Sequence, residues 1–280
     1  MNNQYEKITK KNTKTFYYST IFFPNNIKNK VFLLYSFVRT IDNLVDSKKP
    51  KTKNFYFIKK EFFNSIKAKK KSKLKVVNDF LALVKEKKLE KEILDYFRTQ
   101  EKELKIKKYK KIKDFNDFTY GVAGTIGIMM AKILDLPKKS YQSAKKLGQS
   151  LQIINNIRDI FEDFQRGKIY IPEELLNKYQ LNHKNFLDKK NREKLYQVIK
   201  ELLLKAKNLQ EQAKKDFKLF NKKKLLPIKI ACDLYNLIAK KISKNPELIF
   251  SGKKLKPNFF EIISVIVKNF LFIYVFNKKN

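Results

Sequence analysis

Apolar residues step by three and four along nearly the whole chain, and this rhythm constrains the fold more than any other feature. Val31, Leu34, Val38, Ile41 and Val45 follow it, as do Leu147, Leu151, Ile154, Ile157 and Phe161. Leu195, Val198, Leu202 and Leu209 carry it through 191–220. No run alternates with the period of two that a strand requires, and no internal repeat stands out. With 6 Gly and 7 Pro in 280 residues, the chain lacks the tight turns of an all-β fold. The spacing predicts a single all-α domain over residues 1–280, of about ten helices. Breaks are expected at Pro24, 47–54, 135–139, 167–172 and 244–258, and 65–75 reads as a charged surface stretch.

The net charge is +37, and 59 of the 64 basic residues are Lys. Such a charge suits nucleic acid, an anionic membrane or a diphosphate substrate, or reflects a general lysine bias. The lysines are dispersed along solvated faces, whereas a nucleic-acid reader concentrates its charge and favours Arg or aromatic side chains. We therefore expect no nucleic-acid partner. One Cys (Cys232) and one His (His183) exclude an internal disulfide and a Cys/His zinc site. His183 sits in the polar run "NKYQLNHKNF", a poor setting for a catalytic base. The first fourteen residues are polar and carry no signal-peptide apolar core, so the expected location is cytoplasmic.

Residues 259–276, "FFEIISVIVKNFLFIYVF", form the most apolar stretch. A membrane-spanning helix needs about 20 apolar residues, and this one is shorter and interrupted by Glu261 and Lys268. We read it first as a terminal core helix. The alternative is peripheral contact with the inner face of a membrane.

Two polar stripes stand out inside apolar helices. Tyr35, Arg39, Asp42 and Asp46 are separated by four, three and four residues and so share one face. Gln152, Asn155, Asp159 and Asp163 repeat the arrangement with steps of three, four and four. Like charges at i and i+4 disfavour a helix, and buried carboxylates without partners cost several kcal/mol more. A cationic partner is therefore expected at each pair. Three of the four basic residues within 35–46 and 152–172 are Arg (Arg39, Arg158 and Arg166), in a chain with only five. Arg presents a rigid bidentate fork to carboxylate or phosphate that Lys cannot copy.

Mg²⁺ takes hard oxygen ligands, typically one or two carboxylates together with substrate phosphate oxygens and water. Two facing Asp pairs with adjacent Arg therefore suit metal-assisted loss of diphosphate, followed by an allylic cation in an apolar pocket. Mn²⁺ is the alternative ion. The segment "YGVAGTIGIMMA" places Ala123, Gly124, Gly127 and Ala131 on one stripe. It reads either as close helix packing or as a groove for a long isoprenoid chain.

Taken together, these segments resemble the squalene/phytoene synthase family. "NTKTFYYSTIFFP" resembles its opening segment, "LYSFVRTIDNLVD" its first Asp-rich motif and "YGVAGTIGIMM" its glycine segment. "QIINNIRDIFEDFQRGKIYIP", the most specific match, resembles its second Asp-rich motif, and the chain from Leu234 onward resembles its C-terminal part. The resemblance implies an isoprenoid synthase fold around a central active-site cavity. It implies head-to-head joining of two prenyl diphosphates through a cyclopropyl intermediate. By position, Asp42, Asp46, Asp159 and Asp163 would bind Mg²⁺–diphosphate, and Arg39, Arg158 and Lys168 would hold diphosphate, joined by Lys14 and Thr15 near the entrance. Gln152 and Asn155 would line the site, Tyr35, Tyr170 and Tyr235 would shape a cation pocket, and Ala123, Ile126 and Gly127 would border a prenyl chain. The chain departs from the family pattern in four places. Asn43 stands for a second adjacent Asp, Phe118 for a Tyr and Lys168 for an Arg, and only Lys253 or Lys254 can replace an Arg after Tyr235.

The resemblance points first to conversion of two geranylgeranyl diphosphates into phytoene. The alternatives are a squalene, dehydrosqualene or presqualene diphosphate synthase using farnesyl diphosphate, and a non-catalytic prenyl-diphosphate binder. Only squalene formation would call for NADPH. Oligomeric state is not legible in the sequence.

Overall fold

The computed structural model describes residues 3–47, 49–68 and 70–276. Fourteen α-helices lie among them, more than the ten expected. The expected breaks appear, and others fall at 88–89, 104–111, 179–191 and 215–221, where polar residues interrupt the apolar rhythm without Pro or Gly to mark a stop. The only pairing of extended chain among the described residues is an isolated bridge between Lys108 and Ile169.

Helix α3 (Asn25–Val45) follows Pro24 and is the spine of the N-terminal half. Its apolar face is fully buried at Val31, Ile41 and Val45. Against it pack α1 (Asn3–Asn12), α2 (Lys14–Thr20), α4 (Thr52–Ala68), α5 (Lys75–Lys87) and α6 (Glu90–Glu103). Aromatic rings fill this core. Phe37 stacks on Phe80 at 4.0 Å and meets Phe62 at 5.5 Å and Phe97 at 6.1 Å. Ring pairs of this kind add about 0.5–1.5 kcal/mol beyond their buried area.

The C-terminal half is built on α9 (Tyr141–Arg158), which packs along α12 (Arg192–Lys214) and α8 (Thr125–Ile133). Before α8 lie α7 (Ile112–Thr119) and a π-helical turn, Tyr120–Gly124. After α9 come α10 (Ile160–Gln165) and α11 (Glu173–Lys178), with Gly167 at φ +78° turning the chain between them. Helix α13 (Lys222–Lys244) and α14 (Phe259–Phe270, extended as a π-helix to Phe276) complete the chain.

The glycine stripe serves helix packing first. A Cβ at Gly127 would lie 2.1 Å from the Ala144 carbonyl oxygen, and one at Gly148 would lie 2.2 Å from that of Ala123. The backbones of α8 and α9 approach so closely that no side chain fits between them. Gly124 faces Tyr120, Lys145 and Gln149 and stays out of the cavity, whereas Ala123, Gly127 and Ala131 also touch it. Gly127 thus serves both the close packing of α8 on α9 and the cavity wall.

The expectation of a terminal core helix is not met. Only 17% of the window 259–276 is buried. His183 is buried with Nε2 2.9 Å from the Ile171 carbonyl, and burial pushes the Cys232 thiol up to about 12, so both are structural.

Candidate active site

A cavity of about 810 Å³ opens between the two halves, at the upper end of the range for ligand pockets. Helix α3 delivers the first stripe to it: Tyr35, Arg39 and Asp42 line the wall, and Asp46 lies one residue beyond the helix. The second stripe arrives differently from the sequence reading. It does not lie on one helix, because α9 ends at Arg158 and α10 begins at Ile160. Asp159 occupies the junction at φ −100°, ψ 10°. The backbone bonds Asp159 N–H to Asn155 O (2.9 Å) and Asp163 N–H to Asp159 O (2.8 Å) carry the helical path across it. Gln152, Asn155, Arg158, Asp159 and Asp163 therefore still reach the same cavity.

The four carboxylates have different partners. Asp42 accepts hydrogen bonds from Tyr96 Oη (2.7 Å) and Gln100 Nε2 (2.7 Å), both on α6. Burial nevertheless raises its pKa, outweighing those donors and Arg39. Asp46 is pushed up to about 7 by burial and by the charges of Asp42 and Glu103, against the pull of Lys168 and Arg39. Asp159 is paired in bidentate fashion with Arg158, at 2.7 and 2.5 Å, and Lys254 Nζ stands 3.6 Å away. Burial pushes Asp159 up, but these cations hold it below the usual carboxylate value. Asp163 rises to about 7 through burial and the charge of Asp159, with Arg166 opposing and Asp46 adding to the rise. The charge of Asp46 thus reaches Asp163, and both carboxylates line one cavity, so the two stripes share a site.

Such a set of carboxylates favours added positive charge. Four buried polar atoms on the cavity wall also lack partners: Arg39 Nε, Gln100 Oε1, Asn155 Oδ1 and Asn156 Nδ2. Native buried polar groups are nearly always bonded, so these mark a surface made for a polar ligand. Among the described residues no three Asp, Glu, His or Cys converge closely enough to hold a metal by themselves. The four carboxylates lining the cavity are hard oxygen donors, the type that Mg²⁺ takes alongside substrate phosphate oxygens.

Lys168 and Tyr170, at the exit of α10, converge on Glu103 of α6. Lys168 Nζ lies 3.1 Å from Glu103 Oε2 and donates to the Glu103 and Ile106 carbonyls at 2.5 and 3.2 Å. Tyr170 Oη donates to Glu103 Oε2 at 3.0 Å, and Tyr109 Oη donates to Glu103 Oε1. Phe118 stacks on Tyr170 at 4.7 Å, so the ring remains where a hydroxyl was expected. Tyr35 stacks on Phe16 at 5.2 Å, and Tyr235 lines the opposite wall on α13. Lys254 takes the place beside Asp159. Thr15 lines the cavity, but Lys14 does not: it is exposed at the start of α2, and its expected part in diphosphate binding finds no support.

The sequence reading missed Tyr96, Gln100 and Glu103. They lie in "DYFRTQEKELK", which reads as a charged surface helix. Their spacing of four and three, in step with the first stripe, was the available signal. The far end of the cavity is apolar, walled by Phe23, Leu34, Ile126, Met130, Leu134 and Ile228. A charged mouth opposite an apolar recess suits an amphiphile with an anionic head.

The family model for squalene/phytoene synthase matches residues 9–261. A 15-cis-phytoene synthase of Synechocystis sp. is 23% identical over 269 residues, covering 90% of this chain and 79% of its own length. A 4,4′-diapophytoene synthase of Staphylococcus haemolyticus is 29% identical over 131 residues, 46% of each protein. Among solved structures, a dehydrosqualene synthase superposes with a TM-score of 0.84 at 23% identity, covering 96% of this chain and 95% of that one. Squalene synthase HpnC from Alicyclobacillus acidocaldarius gives 0.75 at 16% identity, covering 86% and 92%. The helical architecture is thus the isoprenoid synthase fold, and the chain belongs to the squalene/phytoene synthase family of prenyltransferases.

Proposed function

We propose that the protein joins two geranylgeranyl diphosphates head to head to give phytoene and diphosphate, in the cytoplasm. The observation that carries this reading is a single cavity lined by all four Asp of the two stripes together with Arg39, Arg158 and Lys168 and continuing into apolar walls. Phytoene synthases are also among the relatives that match most of the chain.

Asp42, Asp46, Asp159 and Asp163, with Asn155 Oδ1, would hold Mg²⁺ (or Mn²⁺), whose chemistry is to neutralise the diphosphate and lower the barrier to its departure. Arg39, Arg158, Lys168 and Lys254 line the cavity and would place positive charge around the leaving group. The first ionisation leaves an allylic cation at C1 of one substrate. The 2,3 double bond of the second attacks it, and loss of a proton closes the cyclopropane. Departure of the second diphosphate, rearrangement and loss of a further proton yield the C40 product without a reductant. Tyr35, Tyr170 and Tyr235 line the cavity and would stabilise the cations through their aromatic rings.

A second reading uses farnesyl diphosphate. It is favoured by the dehydrosqualene synthase superposition and the 29% identity to a diapophytoene synthase. One assay separates the two: protein and Mg²⁺ with either substrate, with and without NADPH, beside Asp159→Asn. A C40 product from geranylgeranyl diphosphate without NADPH, lost in the variant, is expected. A C30 product alone would move the substrate to farnesyl diphosphate, with NADPH dependence marking squalene. Turnover of neither, with binding retained, would refute the enzymatic reading.

A further inference from the structure

We propose that α14 lies flat in the surface of an anionic lipid bilayer, as an in-plane anchor that does not span it. The helix is apolar on both faces. Its inner face seats Ile262, Ile266 and Ile273 on Leu226, Ile230 and Leu234 of α13. Its outer face exposes Phe260 (80%), Phe276 (78%), Ile263, Val267, Phe270 and Phe272. A surface helix of a water-soluble protein carries polar residues on that side. Contiguous exposed apolar area of this kind marks an interaction surface.

Three ties hold the helix against the protein. Asn269 is buried and donates to Asp233 Oδ2 at 2.9 Å. Glu261 pairs with Lys241 at 2.6 Å. Asn258 and Glu261 form a reciprocal capping box at the helix start. Crossing a bilayer would break the first two and uncover the α13 stripe. Lying in the interface keeps both and buries the phenylalanines among acyl chains.

Charge selects the occupant. Lys253 and Lys256 are exposed in the segment entering α14, and Lys268 is exposed on the helix. The Lys229 ammonium stands 4.7 Å from the Phe272 ring. The one acidic residue of the helix, Glu261, is already paired. An anionic headgroup layer complements this face, whereas a second copy would set +37 against +37. The placement also has a use. The opposite faces of α13 and α2 wall the cavity through Ile228, Ala231, Phe16 and Thr20, so one helix thickness separates the proposed bilayer from the site.

The test is flotation of the full chain with phosphatidylcholine vesicles, with and without phosphatidylglycerol. Neither substrate nor Mg²⁺ is added, so the outcome is independent of the proposed reaction. The wild type should float with the anionic vesicles and be released by alkaline carbonate. Phe260→Ser/Phe276→Ser should lower partitioning about 100-fold, with helicity and melting temperature unchanged because both rings are exposed. Lys256→Gln and Lys268→Gln should each lower anionic binding about fivefold. Wild-type protein that stays with the soluble fraction, or a Phe double variant that binds as well, would overturn the proposal. Retention in carbonate would replace it with a span, and a vesicle-insensitive dimer lost in the double variant would replace it with self-association.

Discussion

Replacing Asp163 by Asn should make the metal-free protein more stable while abolishing its chemistry. The carboxyl is raised from 3.8 to about 7, chiefly by burial and then by Asp159. Between those two values the folded chain keeps a proton that the unfolded chain has released. Stability therefore falls as pH rises from about 4 and levels off above about 7. At about 1.4 kcal/mol per pH unit the full penalty approaches 4 kcal/mol. Asn cannot ionise and escapes it. The gain of Asp163→Asn over wild type should grow by about 2 kcal/mol between pH 5.5 and 7, then remain flat. For a chain of this size that is a difference in melting temperature of roughly 4–8 °C. Thermal denaturation at several pH values, in chelator, reads it directly. Adding Mg²⁺ with inorganic diphosphate should then raise the melting temperature of the wild type far more than that of the variant. A gain of the same size at pH 5.5 and pH 8 would refute the claim that this carboxylate is held at electrostatic cost.

Three further outcomes are expected. Tyr96→Phe removes one of the two donors to Asp42, and urea denaturation should show a loss of about 1–3 kcal/mol. Gly148→Ala forces a methyl to within 2.2 Å of the Ala123 carbonyl, so the π-helical turn and α9 must part, at a cost of about 1–3 kcal/mol despite the better helix former. Glu103→Gln leaves Lys168 and Tyr170 without their shared carboxylate, and turnover should fall at least about tenfold at saturating substrate while the protein remains folded.

The first Asp stripe was legible because α3 is long and regular, so steps of four, three and four translate directly into one face. The second was legible as a face but not as two helices, since the interruption at Asp159 leaves the spacing and most backbone bonds intact. Tyr96, Gln100 and Glu103 escaped notice because a buried polar partner and a solvated charge look alike within a Lys/Glu-rich helix. What distinguishes them is the neighbouring α3, not the local sequence. Lys14 neighbours the cavity-lining Thr15 in sequence but is itself exposed, a difference that adjacency in sequence does not reveal. For 259–276, composition set the apolar content, but only the packing on α13 showed that one face lacks a protein partner.

The most direct test of the account is Mg²⁺-dependent binding of an unreactive thio analogue of geranylgeranyl diphosphate, measured by titration calorimetry. The two Asp stripes acting as one metal–diphosphate site predict that Mg²⁺ tightens binding at least about 100-fold, by stabilising several charged contacts at once. Asp46→Asn and Asp163→Asn should each remove most of that gain, and together no more than either alone. Equal affinity with and without Mg²⁺, or losses that add independently, would contradict a single shared site.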